Sequence, residues 1–210
     1  ASALESDERS WVVFESGPFG ATYAHALGIR PHVDRANPIL ALIGSPTELT
    51  KLQSDRLESQ SGVDLITVDD PASDVSQLLS RLRASAEIGK TVIGIRTTSR
   101  DGSAPDPLHA SQMLALIIDL AVECADSMQF DGIYASGGDV AFAVLDALGA
   151  RGYEVENEVV PLAVSGKLVG GPHDGLGFAT KGGLVGDADA AVECINQLRS
   201  RIRQSEPRIV

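Results

Sequence analysis

Gly132-Ile-Tyr-Ala-Ser136-Gly-Gly-Asp-Val140-Ala-Phe-Ala-Val-Leu-Asp-Ala-Leu148 is the stretch whose reading decides the fold. Gly132 to Ala135 reads as a short strand and Val140 to Leu148 as a helix. Ser136-Gly137-Gly138-Asp139 joins them. Glycines let a backbone approach a ligand closely, and free N–H groups at a helix start point at an anion. In a parallel sheet such a turn lies at the carboxyl end, where ligands bind. A purely structural reading also exists, in which Asp139 caps the helix and the glycines only make the turn.

The same order recurs along the chain. Ile39 to Ile43 is a continuous apolar run, as in a strand buried on both faces. Gly44-Ser45-Pro46 follows it and opens a helix over 46–60, with proline near the first turn. Thr50 and Gln53 lie three apart and share a face of that helix. From spacing they read equally well as exposed polar residues behind a serine cap. Strands follow at 64–68 and 91–95, and helices at 73–86 and 108–128. The last helix is widely apolar, as a central helix would be.

Near the end, strand-like runs at 154–160, 165–169 and 177–180 alternate with Pro161, Gly170-Gly171-Pro172 and Gly175. A closing helix spans 187–202, with Val192, Ile195, Leu198 and Ile202 on one stripe. The expected fold is α/β: a mostly parallel sheet with helices on both faces and some antiparallel strands near the C-terminus. Before all this, Trp11 to Phe14 reads as a strand, with a helix running to Leu27, Gly28 at its end and a linker from Ile29 to Pro38.

A second strand–glycine–helix turn is Thr180-Lys181-Gly182-Gly183-Leu184-Val185-Gly186-Asp187. It adds a lysine, a point charge suited to a phosphoryl group, or else a solvated surface cation. Gly89-Lys90-Thr91 imitates the end of a P-loop, but Ala84 stands where that pattern needs glycine, and the order is helix then strand. His173-Asp174 are adjacent in a loop, where neighbours point apart. His25, His32 and His109 show no metal-ligand spacing with Cys124 or Cys194. Among the absent motifs are G-x-S-x-G, H-E-x-x-H and G-x-G-x-x-G. The last absence argues against a dinucleotide-dependent oxidoreductase.

Composition sets the outer limits. The 210 residues carry 17 Lys+Arg against 29 Asp+Glu, a net charge of −12. That balance argues against nucleic acid and against anionic membranes as partners. No apolar run reaches the ~18 residues of a membrane span. The first nine residues are polar and acidic, unlike a signal peptide. Two cysteines are too few for a disulfide scaffold, which points to a reducing, cytoplasmic location. Glycine is in surplus, with 21 residues, about 10% against a usual ~7%.

Four of these segments, in order, resemble the four-carbon acid sugar kinases, which act on D-threonate, D-erythronate and 3-oxo-tetronate. Gly44 to Gln53 is similar to the family's G-S-x-S-x-x-T-x-x-Q element, with Thr50 and Gln53 on matching positions. Ser136 to Ala141 is similar to its G-G-D/E-T-A turn, and Thr180 to Gly186 to its T-K-x-G-x-F-G turn. Val144 to Gly149 and Gly170 to Gly175 fit the same family, and Ser16 to Gly28 resembles its G-S-x-G-L helix. Val140, Leu162 and Val185 depart from the Thr, Gly and Phe common there.

The resemblance implies ATP-dependent phosphorylation of a hydroxyl of a four-carbon sugar acid, with ATP and Mg²⁺ as cofactors. It implies that Ser45, Ser136, Gly137, Gly138, Gly182, Gly183 and Gly186 surround the nucleotide. Lys181 would neutralise charge on the transferred group, and Asp139 would hold Mg²⁺ or cap its helix. Residues 1–38 would come from a domain junction and 39–210 would form the nucleotide-binding C-terminal domain. The sugar-binding N-terminal domain, in cis or on a separate chain, and the sugar acid would be the partners; a homodimer is left open. Val140 lacks the threonine hydroxyl and keeps a second reading alive, a non-catalytic nucleotide-binding or interaction module.

Overall fold

The computed structural model of the chain describes residues 37–98 and 106–205. The segments read at Trp11–Phe14, Ser16–Gly28 and most of the linker and of the 98–107 loop lie outside the described residues, as does the Ile202 side chain.

Strands β1 (Ile39–Ile43), β2 (Val63–Val68), β3 (Val92–Thr97), β4 (Gly132–Ser136), β5 (Gly152–Val160), β6 (Ala163–Val169) and β7 (Gly177–Lys181) form one sheet in the order β2-β3-β1-β4-β7-β6-β5. β2, β3, β1, β4 and β7 are parallel. β6 and β5 add to β7 in antiparallel fashion, as expected for the short strands near the end.

The helices are α1 (Glu48–Glu58), α2 (Val75–Glu87), α3 (Pro107–Ser127), α4 (Gly138–Ala147) and α5 (Ala190–Ser205). Strand alternation sends successive side chains to opposite faces. Leu40 and Leu42 of β1 therefore join Leu82, Leu120 and Val144 of α2, α3 and α4 on one face. Ile39, Ala41 and Ile43 join Leu57 of α1 and Cys194, Ile195 and Leu198 of α5 on the other. All five residues of β1 are buried, which explains its unbroken apolar run.

Caps set the helix starts. α1 begins at Glu48, two residues later than read, because Thr47 lies in extended backbone and accepts the Thr50 N–H. α5 begins at Ala190 rather than Asp187: the Asp187 carboxylate accepts the Asp189 N–H and holds 187–189 as a turn. Asp106 caps α3, with Pro107 in its first turn. α3 is long and apolar enough, by length and composition, to cross a membrane. Its stripe of Met113, Leu116, Ile117, Leu120 and Cys124 is instead buried against the sheet.

Candidate functional site

β1, β4 and β7 are adjacent and parallel, so the turns that follow them emerge side by side at the carboxyl end of the sheet. These are the three glycine turns. Backbone hydrogen bonds lace them in series: Gly44 N–H donates to Ser136 O at 3.2 Å, and Gly137 N–H donates to Lys181 O at 2.9 Å.

α1 ties down the third turn. The Thr47 and Thr50 hydroxyls both donate to Gly183 O, each at 2.9 Å. Gln53 Nε2 donates to Val185 O at 3.0 Å and Asp187 O at 2.6 Å. Two facing carbonyls fix which end of that amide is nitrogen. Thr50 and Gln53 are 2% and 1% exposed, so they are buried fasteners and not the exposed polar residues that spacing also allowed.

The turns enclose a cavity of about 600 Å³. Its floor is Gly44-Ser45-Pro46-Thr47, Gly137-Gly138-Asp139 and Gly182-Gly183. Close approach requires glycine here. A Cβ on Gly183 would meet Ser45 Oγ at 2.1 Å, and one on Gly44 would meet Val140 Cγ2 at 2.4 Å. Gly137 is the N-cap of α4 with φ 113, and no side chain caps that helix. The first N–H groups of α4 thereby lack a side-chain cap from the N-cap residue, and such groups can hold an anion. Asp139 is exposed in the first turn of α4 and does not cap it.

The opposite wall is apolar: Met113, Leu114 and Ile117 of α3, with Val140 from α4. Thr97 and Thr98 close the side at the end of β3, and His109 stands at the start of α3. Among the described lining residues Asp139 and His109 are the acidic and basic side chains. Such a space, with an apolar slot beside a rim of free N–H groups, can take a planar base and an anionic tail. A smaller cavity of about 240 Å³ lies on the far side of the Ser45–Thr47 turn, where Arg96 is held by Asp55 and Glu58.

The structure brings together Ser45, Gly137, Gly138, Asp139, Gly182 and Gly183 as lining residues. Ser136, Lys181 and Gly186 are not among them. Ser136 and Lys181 face each other in the β4–β7 register, fully buried. Gly186, with φ 78, turns the chain toward α5, where a Cβ would meet that of Ala190 at 2.4 Å. Burial pushes the Lys181 ammonium below the ordinary lysine value, with Cys194 opposing. The Cys194 thiol is pushed up to about 11, also by burial.

Gly170 to Gly175 lies at the other end of the sheet, before β7. Its Asp174 carboxylate accepts the Gly170 N–H at 2.6 Å, so the His–Asp neighbours belong to a structural turn. Sequence reasoning missed Thr97, Thr98, His109 and the α3 wall. Its one signal was that the helix over 108–128 is apolar over more than one stripe, since one face meets the sheet and another meets the cavity.

Residues 40–191 match the model of a family described as a nucleotide-binding C-terminal domain. The chain is 35% identical over 92% of its length to the D-erythronate kinase of Heliobacterium modesticaldum, and 27% identical over 71% to the D-threonate kinase of Salmonella typhimurium. The chain belongs to the four-carbon acid sugar kinase family. It spans about half the length of these relatives, 49% of the first and 40% of the second. Among solved structures, a Bordetella bronchiseptica protein with bound citrate, a domain-swapped dimer, matches at TM-score 0.67 and 26% identity over 78% of this chain and 41% of its own. A Haemophilus influenzae protein shares the fold at TM-score 0.63 and 18% identity, over 84% of this chain and 45% of its own.

Proposed function

We propose that residues 39–210 are the nucleotide-binding part of a cytoplasmic, ATP-dependent kinase acting on a hydroxyl of a four-carbon sugar acid. In this reading residues 1–38 belong to the junction with a sugar-binding domain. The observation that carries it is the convergence of three glycine turns and an apolar wall around one cavity of about 600 Å³. The named relatives supply the reaction.

Phosphoryl transfer rests on positioning and charge stabilisation. The α3 wall receives the base. The uncapped N-terminus of α4 and the N–H groups of the Gly182 turn receive phosphate oxygens. Asp139 is the one carboxylate among the described lining residues, and it would hold Mg²⁺ together with the phosphates. That ion would neutralise charge on the transferred group. Among the described residues no cluster of three or more His, Cys, Asp or Glu could hold a metal without such help. The acid and any general base come from the sugar-binding half. A homodimer is part of the proposal, given the dimeric Bordetella relative.

A second reading, a non-catalytic nucleotide-binding module, is favoured by Val140, which puts two methyl groups at the α4 turn, and by the lack of lysine and arginine among the described lining residues. One experiment separates the two. The chain is titrated with ATP–Mg²⁺ in a calorimeter, then assayed for phosphorylation of erythronate and threonate with a sugar-binding half added. Binding and restored turnover support the kinase. Binding with persistent silence supports the module. A folded chain that binds no ATP–Mg²⁺ sinks both.

A further inference from the structure

Lys181 is 2% exposed, yet nothing in the proposed reaction touches its ammonium. The ammonium donates to Gly182 O at 3.0 Å, and that carbonyl also accepts the Val185 N–H at 3.2 Å. The Gly182–Gly183 peptide is trans and planar. Its N–H therefore points away from its C=O. With the carbonyl drawn to the buried ammonium, the Gly183 N–H is turned the other way, on a residue that lines the cavity. Among the described residues that N–H has no acceptor.

Among the described residues the ammonium also has no counter-charge. Its register neighbours are Ser136 on β4 and Ala163 on β6. β4 also brings the Tyr134 phenol to that face, α1 brings the neutral Gln53, and α5 brings the Cys194 thiol. Burial pushes both the phenol and the thiol up, so each is uncharged near neutrality. The Ser136 hydroxyl is buried beside that phenol and offers no charge. An unpaired charge in such surroundings is costly unless an anion is brought near it.

Resting on the nucleotide reading above, we propose that Lys181 is a positioning residue: its ammonium holds the Gly182 carbonyl so that the Gly183 N–H donates into the cavity, and a phosphate of the bound nucleotide supplies the counter-charge the ammonium lacks. The charge is relayed through one peptide group, ammonium to carbonyl to N–H to phosphate, and hydrogen bonds in such a chain polarise one another. Binding is then linked to protonation. Burial favours the neutral amine in the free protein, and an anion above the turn favours the ammonium. Within the window between the free and bound midpoints binding takes up a proton, and affinity falls as pH rises.

The test is a ¹³Cε NMR titration of lysine-labelled protein, with and without saturating ATP–Mg²⁺. The chain has four lysines, Lys51, Lys90, Lys167 and Lys181, so the spectrum is simple. Lys181 is assigned by K181R, or by elimination with K51R, K90R and K167R if K181R does not fold. The Lys181 midpoint is expected below the ordinary lysine value in the free protein. It is expected to rise on saturation by about one unit, which is tenfold in affinity across the window. A folded K181M is expected to bind ATP–Mg²⁺ about tenfold more weakly, with the loss of a charge-assisted bond. Saturable binding with an unmoved Lys181 midpoint overturns the proposal and leaves the nucleotide reading standing. Failure of folded wild-type protein to bind overturns both.

Discussion

Replacing Gln53 by leucine tests how much of the site depends on α1. The side chain is 1% exposed and its Nε2 holds Val185 O and Asp187 O across 132 and 134 residues of sequence. Removing it deletes two hydrogen bonds, each worth about 1 kcal/mol net, to carbonyls of a half-buried and an exposed residue. Against this, Gln53 Oε1 is buried without a partner, and leucine removes that orphan. The relief is about 1 kcal/mol. The sum is a destabilisation of about 1 kcal/mol, or roughly 2–4 °C in melting temperature for a chain of this size. Because the lost bonds hold the 182–187 turn, ATP–Mg²⁺ affinity should fall with stability. Urea unfolding followed by circular dichroism gives the first quantity and calorimetry the second. A loss below ~0.5 kcal/mol, the range of an ordinary surface change, with unchanged affinity would refute the reasoning.

Three other substitutions probe separate links. Gly44→Ala forces a Cβ to within 2.4 Å of Val140 Cγ2 and 2.9 Å of Ile117 Cδ1. It should cost about 1–3 kcal/mol by overpacking and narrow the cavity, lowering both melting temperature and nucleotide affinity. Asp139→Asn, at an exposed position in the first turn of α4, should leave the melting temperature unchanged and abolish the dependence of ATP binding on Mg²⁺; titrations with and without Mg²⁺ check this. Burial pushes the Cys124 thiol up from 9.0 to about 12. A raised folded value stabilises fully below the unfolded value, and the stabilisation is lost as pH rises toward the folded one. Wild type should therefore lose stability relative to Cys124→Ala between pH 9 and 12, in urea midpoints taken along that range.

Much of the fold was legible because local signals agreed. The unbroken Ile39–Ile43 run read as a strand covered on both faces, and all five of its residues are buried in β1. The glycine turns after it, after β4 and after β7 marked the segments that line the cavity. Helix starts were less legible, since Thr47 and Asp187 compete for backbone N–H groups that no periodicity reveals. The α3 wall was illegible for a similar reason. The wide apolar surface of that helix signals a second covered face, but not whether a cavity or another helix covers it. Lys181 shows the limit most plainly: its position beside two glycines read as a ligand contact or a solvated cation, and the pleat of β7 turned it inward instead.

Leu162 shows the converse, where the structure explains the glycine that the resemblance leads one to expect. It follows Pro161 in the β5–β6 turn with φ 67, a conformation that favours glycine, the residue common at that point in the family. The structure gives no reason for leucine there.

The most direct test of the central claim, that the three glycine turns hold a nucleotide, is backbone amide NMR of the folded chain titrated with ATP–Mg²⁺. The account expects saturable shifts concentrated at Gly44, Ser45, Gly137, Gly138, Gly182 and Gly183, with smaller ones along the α3 wall and none at Gly170–Gly175. Saturable shifts confined elsewhere, or no shifts at all, would contradict it.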